Sequence, residues 1–177
     1  MYINIHRLFS IMWSLIMDEF ADSPAQAKVA RFLLDNGFGV NDEGKVTANG
    51  VEIPATHIAA AIRADRRVVD ATARRILAIP AIRQVFRNLR ATPDISRVAE
   101  ELGLSSVTVI PRNAQEKGIV SAVLRVVQKR NLTIRQIFVT DSYFAEEPKL
   151  VVIIEEKVPA GLFEEIRRLP QVKQVII

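Results

Sequence analysis

The chain has 177 residues, 49% of them apolar, and sets 24 Lys and Arg against 20 Asp and Glu for a formal net charge of +4. That length allows one ordinary domain or two small ones, and the apolar content is ample for buried cores, which excludes intrinsic disorder as the main state. With no cysteine, disulfides, thiolate metal sites, cysteine nucleophiles and iron–sulfur clusters are excluded, and His6 and His57 are too far apart to form an i, i+4 zinc pair.

Leu8 to Met17 is uncharged but only ten residues long, against the roughly 20 apolar residues of a membrane span. A secretory signal would need a longer apolar core and a small-residue cleavage site. The expected location is therefore cytoplasmic, with no membrane partner. Met12 and Met17 are alternative starts, and nothing in the first eleven residues suggests chemistry.

Ala27, Ala30, Phe32, Leu33 and Leu34 fall at helical spacing between Pro24 and Asn36, with Ser23 as N-cap, Pro24 at the first helical position and Gly37 as the stop. Phe38 to Val46 surrounds an Asp-Glu-Gly turn, and Asn49-Gly50 starts a second turn before Val51, which predicts a small β-ribbon. Helices are expected from Pro54 to Arg63, from Arg66 to Ala78 and from Pro80 to Arg90, the last with Ile82, Val85, Phe86 and Leu89 on one stripe. Asp94 to Leu102 reads as a short helix connecting two domains, stopped by Gly103.

Beyond Gly103 the expected order is a strand at Val107–Ile110, a helix from Gly118 to Asn131 and a strand from Leu132 to Thr140. A strand at Leu150–Ile154, a helix from Pro159 to Leu169 and a strand from Val172 to Ile177 complete it. This β-α-β-β-α-β order is that of the ferredoxin-like unit, with one antiparallel sheet and both helices on one face. The fold class is α+β: a mostly helical, helix-turn-helix-like domain at 1–91, a connecting helix at 92–103 and a ferredoxin-like domain at 104–177.

The charge is unevenly placed. Residues 63–90 hold 8 basic and 2 acidic groups, a net +6, and all eight cations are arginine, the side chain that best forks onto phosphate and guanine edges. With Thr56 as the second position of a helix-turn-helix, Ile58, Ala59, Ile62 and Val69 fall on core positions. The second helix then starts at Asp65 and presents Arg66 and Arg67 on its first turn. Arg63 stands at the turn where glycine is common, and Thr72 replaces an apolar position. The expected duplex contacts are Arg63, Arg66, Arg67, Arg74 and Arg75; the competing reading is a solvated face whose arginines pair with Asp65, Asp70 and the acidic first segment.

The strand order, the loop Ile110-Pro111-Arg112-Asn113-Ala114-Gln115-Glu116-Lys117-Gly118 and the apolar helix after it resemble the ACT domain, a regulatory module that binds amino acids. With the preceding helices and Asp65-Arg66-Arg67-Val68-Val69-Asp70-Ala71-Thr72, nearly the whole chain resembles an archaeal group of regulators of amino-acid metabolism. The resemblance implies an amino-acid effector at the strand–helix junction, with Arg112, Asn113, Gln115, Gly118 and Ile119 as its binding residues. Asn113 lies five residues before Gly118 and Lys117 replaces the family's proline. It also implies a homodimer formed through the C-terminal domain, and a DNA-binding transcription regulator. The alternative is a regulatory subunit that senses an amino acid and docks on a metabolic enzyme through its basic helices.

No enzyme, cofactor or metal is expected. The adjacent pairs Glu146-Glu147, Glu155-Glu156 and Glu164-Glu165 point to different faces, and Asn36-Gly37-Phe38-Gly39 lacks the rest of a phosphate loop.

Overall fold

Helix α1 (Pro24–Asn36) begins as its proline predicts, although the Ser23 side chain makes no capping bond. It ends at Gly37, whose φ of +66° is left-handed, with the Phe38 amide donating back to the Leu33 carbonyl at 2.8 Å. Strands β1 (Gly39–Val40), β2 (Val46–Ala48) and β3 (Val51–Glu52) form an antiparallel meander. Asn49 and Gly50 join β2 to β3 with φ of +50° and +89°, both in the positive range a two-residue hairpin turn demands. Helices α2 (Ala55–Ile62), α3 (Arg66–Ala78) and α4 (Pro80–Asn88) complete the first unit.

The structure, a computed structural model, describes residues 16–140, 145 and 147–177; the readings made for His6, for the first eleven residues and for Glu146 lie outside these. The chain is mixed α+β with two antiparallel sheets and divides between Thr92 and Pro93 into two units. Unit 1 packs Phe20, Leu33, Ile58, Ile76 and Phe86 into one core, each such burial stabilising by about 1.5–3 kcal/mol. The tail of α4 is pinned by Asn49, whose amide nitrogen donates to the Ala91 carbonyl at 3.0 Å while its oxygen accepts from the Ala91 amide at 3.0 Å. Among the described residues no helix is long and apolar enough to cross a membrane.

Unit 2 runs β4 (Ser105–Pro111), α5 (Ile119–Gln128), β5 (Ile134–Val139), β6 (Leu150–Ile154), α6 (Ala160–Arg167) and β7 (Val172–Ile176). Its sheet has the order β5-β6-β4-β7, all pairs antiparallel, so β5 and β7 are its edges. Every residue of β6 is buried. Leu150, Val152 and Ile154 meet Val123, Val126 and Val127 of α5 and Leu162 and Ile166 of α6 on one face.

The opposite face corrects the expected connecting helix. Residues 92–103 hold only the 3-10 turn Ser96–Val98, and Ala99, with Ile95 and Leu104 beside it, packs against Val151, Ile153 and Phe138. The Gln136 side chain ties the segment down, donating to the Pro93 carbonyl at 2.8 Å. An apolar sheet face needs a cover, and these residues supply it as part of unit 2.

Gly37 is a sharp test of unit 1. A Cβ there would stand 2.5 Å from the Arg90 carbonyl oxygen and 2.8 Å from the Ala91 Cα. Gly37→Ala thus combines left-handed strain with a backbone clash and should cost about 2–4 kcal/mol, measured by urea unfolding of the full chain.

Candidate nucleic-acid interface and effector loop

Helices α2 and α3 are joined by Arg63, Ala64 and Asp65. Arg63 takes φ +52° and ψ +56°, the conformation for which glycine is commoner, and the Ala64 amide donates to the Ala59 carbonyl at 2.8 Å to close α2. Asp65 caps α3: its Oδ1 accepts from the Arg67 amide at 2.8 Å, and its two oxygens receive the Arg67 guanidinium at 3.3 Å each. Those bonds, the amide's first and then the guanidinium's, hold the Asp65 carboxyl below its ordinary value.

Helix α3 buries Val69, Thr72, Ala73 and Ile76 on one stripe. Thr72, the polar residue at an expected apolar position, is fully buried and donates its hydroxyl to the Val68 carbonyl at 2.7 Å, so its oxygen is satisfied inside its own helix. At about 100° per residue the opposite stripe holds Arg67 and Arg74, two turns and about 10 Å apart. Arg63, Arg66, Arg67 and Arg74 are all exposed. Among the described residues, no hydrogen bond or ion pair holds the side chains of Arg63, Arg66 or Arg74.

The other arginines differ. Arg75, grouped with the duplex contacts on sequence, is committed inside unit 1. It pairs with Asp22 at 2.9 Å, donates to Gln26 Oε1 at 3.0 Å and lies 5.2 Å from the centre of the Phe20 ring. Arg87 pairs with Asp42 at 2.6 Å, and Arg90 donates to the carbonyls of Arg87 and Leu89. Arg83 is half-buried, with its Nε unpaired.

In unit 2 the expected effector residues share one loop. β4 ends in a bulge at Pro111, after which the Arg112 amide donates to the Gln171 carbonyl at 2.8 Å. Arg112, Asn113, Gln115 and Gly118 are exposed. Asn113 shapes the loop, its Oδ1 accepting from the Gln115 amide at 3.0 Å and its carbonyl from the Glu116 amide at 3.1 Å. Gly118 has φ +90°, and a Cβ on it would meet nothing within 4 Å. The glycine therefore serves the left-handed entry to α5, and the space beside it is open. The Ile119 side chain is buried, 7% exposed, so what this residue can offer a ligand is its backbone amide. No side chain caps the start of α5, so the amides of its first turn have no side-chain acceptor among the described residues.

The competing reading places arginine partners in the acidic first segment without naming them; Asp22 and Asp42 of that segment hold Arg75 and Arg87, and Gln26 was not foreseen. Nothing local marks them, since Gln26 and Asp42 lie 49 and 45 residues from the arginines they meet. Gln171, whose carbonyl accepts from the Arg112 amide at the start of the loop, was equally unmarked.

The cap on α3 makes a pH prediction. A depressed carboxyl adds stability that is fully present above its unfolded value, here 3.8, and is lost as pH falls through the lower folded value. Asp65→Ala should therefore lower the melting temperature by a few degrees near neutrality, and the gap from the parent should close on strong acidification. Asp65→Asn, which keeps an acceptor for the Arg67 amide but not the charge opposite its guanidinium, should fall between the parent and the Ala variant near neutrality; thermal denaturation monitored by circular dichroism across the pH range checks both.

No family model matches the chain, and no curated protein matches it.

Proposed function

We propose that the protein is a ligand-responsive regulator of amino-acid metabolism that binds duplex DNA through unit 1. In this reading α2, its three-residue turn and α3 act as a helix-turn-helix, with Arg66 and Arg67 presented to base edges and Arg63 and Arg74 to phosphates. The observation that carries it is the set of exposed, unpaired arginines Arg63, Arg66 and Arg74 around the exposed side of a helix whose other side is locked in a core. Arg66 feels the nearby Asp65 carboxylate but forms no ion pair with it, so all three guanidiniums can exchange condensed counterions for phosphate. Arg75 is left out of the interface, since its charge is already opposed by Asp22.

Unit 2 acts in this reading as an ACT-like, ferredoxin-like sensor. The loop from Arg112 to Gly118 and the uncapped first turn of α5 supply donors for the carboxylate of an amino acid. The chain works as a homodimer through this unit. Exposed Val139 and Ile176 stand on the two sheet edges, β5 and β7, which need pairing or protection. An amino acid regulates duplex binding to the extent that it binds the free and duplex-bound forms with different affinity.

Two measurements test the two halves. In a gel-shift series across salt, the parent should retain random duplex at low salt, and replacing Arg63 and Arg74 by Ala should weaken retention and reduce the slope of log affinity against log salt by about 2. Unchanged retention and slope would overturn the duplex reading; retention by an acidic enzyme in place of duplex would support the docking subunit instead.

In a thermal-shift screen of the twenty amino acids, one should raise the melting temperature, by the equivalent of about 2.7 kcal/mol at a hundredfold excess over Kd. A flat response to all twenty would remove the sensor half.

A further inference from the structure

Unit 1 has a cleft of about 250 Å³ between its meander and α3, lined by Gly44, Lys45 and Val46 on one wall, Glu52 to Ala55 on a second and Val69, Asp70 and Ala73 on a third. Its floor is fixed: Val46, Val69 and Ala73 are 3%, 1% and 1% exposed, and Ile53 and Ala55 pack against the same core. The rim bears two carboxylates and one ammonium. Glu52 Oε1 accepts from the Asn41 side chain at 3.2 Å, which leaves its other oxygen uncommitted. Asp70 is half-buried, and among the described residues no hydrogen bond or ion pair holds its carboxylate. Lys45 is exposed.

We propose that this cleft binds a small aliphatic amine, its ammonium between Asp70 and Glu52 and its hydrocarbon body against Ile53, Pro54 and Ala55, above the floor of Val46, Val69 and Ala73. A partly desolvated carboxylate without a donor gains a charge-assisted bond from an ammonium, and burying each methylene of the ligand adds about 0.8 kcal/mol. A neutral ligand leaves Asp70 unanswered, and an anion meets two carboxylates against one lysine. The cleft lies just below the usual size of drug-like sites, which restricts the ligand to a short chain. The inference goes beyond the duplex and effector readings and uses none of the residues assigned to either.

The test is a titration of the methyl-labelled full chain with n-pentylamine hydrochloride, n-pentanol and sodium pentanoate, read by NMR on the methyls of Val46, Val69 and Ala73. The amine should produce saturable shifts at those methyls, pentanol weaker ones and pentanoate none. Asp70→Asn should weaken the amine at least about tenfold and bring it level with pentanol. Glu52→Gln, an exposed change that keeps the acceptor for Asn41, should weaken it by a smaller factor and serves alone if Asp70→Asn does not fold. Absence of saturable amine shifts, equal or tighter binding of pentanol or pentanoate, or full amine affinity in the folded variants would each overturn the proposal. Because the readout is local to the cleft, failure here leaves the gel-shift and thermal-shift outcomes to decide the regulator reading on their own.

Discussion

Unit 1 depends on the burial of one stripe of α3. That helix packs against α1, α2, α4 and β1, and Val69, Thr72, Ala73 and Ile76 leave it no freedom to roll. A rotation of one residue, about 100°, would draw apolar side chains into water and push Asp70 or Arg74 into the core. The direction in which Arg67 and Arg74 face solvent is thus set by the far side of the helix. Thr72 is the single polar member of the stripe, and its bond to the Val68 carbonyl makes it tolerable there. The junction is held from both ends, with Arg63 accepting a left-handed backbone to terminate α2 and Asp65 capping α3 two residues later.

An equivalent constraint shapes unit 2. Strand β6 is a continuous apolar run, Leu-Val-Val-Ile-Ile, with no polar alternation. Such a strand must be covered on both faces. Two helices supply one cover; the other comes from the stretch with Ile95, Ala99 and Leu104, drawn in by burial of those side chains. The all-apolar strand is therefore the cause of the segment's fate, and a connecting helix free of the sheet would have left Val151 and Ile153 wet.

That example shows where sequence reading succeeds and where it fails. α1 and α3 have the expected ends because their signals are local: Pro24 at the first position, Gly37 at the stop, and Asp65 two residues from the amide it caps. The β6 bounds, Leu150–Ile154, follow from β-branched enrichment for the same reason. The residues 94–102 have helical periodicity too, but the spacing of Ile95, Val98, Ala99 and Leu102 does not say what surface they will meet. Side-chain partnerships are the least legible of all. Arg66 and Arg75 look alike in sequence, and only the return of residues 20–26 to α3 distinguishes a free cation from one stacked on Phe20 and paired with Asp22. The segment from Arg112 to Gly118 was legible as a loop and as a left-handed glycine; the burial of the Ile119 side chain depended on the tertiary core.

Pairing also changes the meaning of the basic segment. Its net +6 is a count of formal charges, whereas a polyanion responds to the field that survives outside the molecule. Asp65, Asp22 and Asp42 stand against Arg67, Arg75 and Arg87, and each pair presents a dipole whose field decays faster than that of a lone cation. With screening over about 8 Å at physiological salt, an approaching chain of phosphates senses chiefly the arginines that form no ion pair among the described residues: Arg63, Arg66 and Arg74 along α2 and α3, and Arg83 and Arg90 on and after α4. Two of these flank the start of α3, where the helix dipole adds a further partial positive charge. The ion pairs that tie α3 and α4 to distant parts of unit 1 therefore also take Arg75 and Arg87 out of the basic stretch that a polyanion would meet.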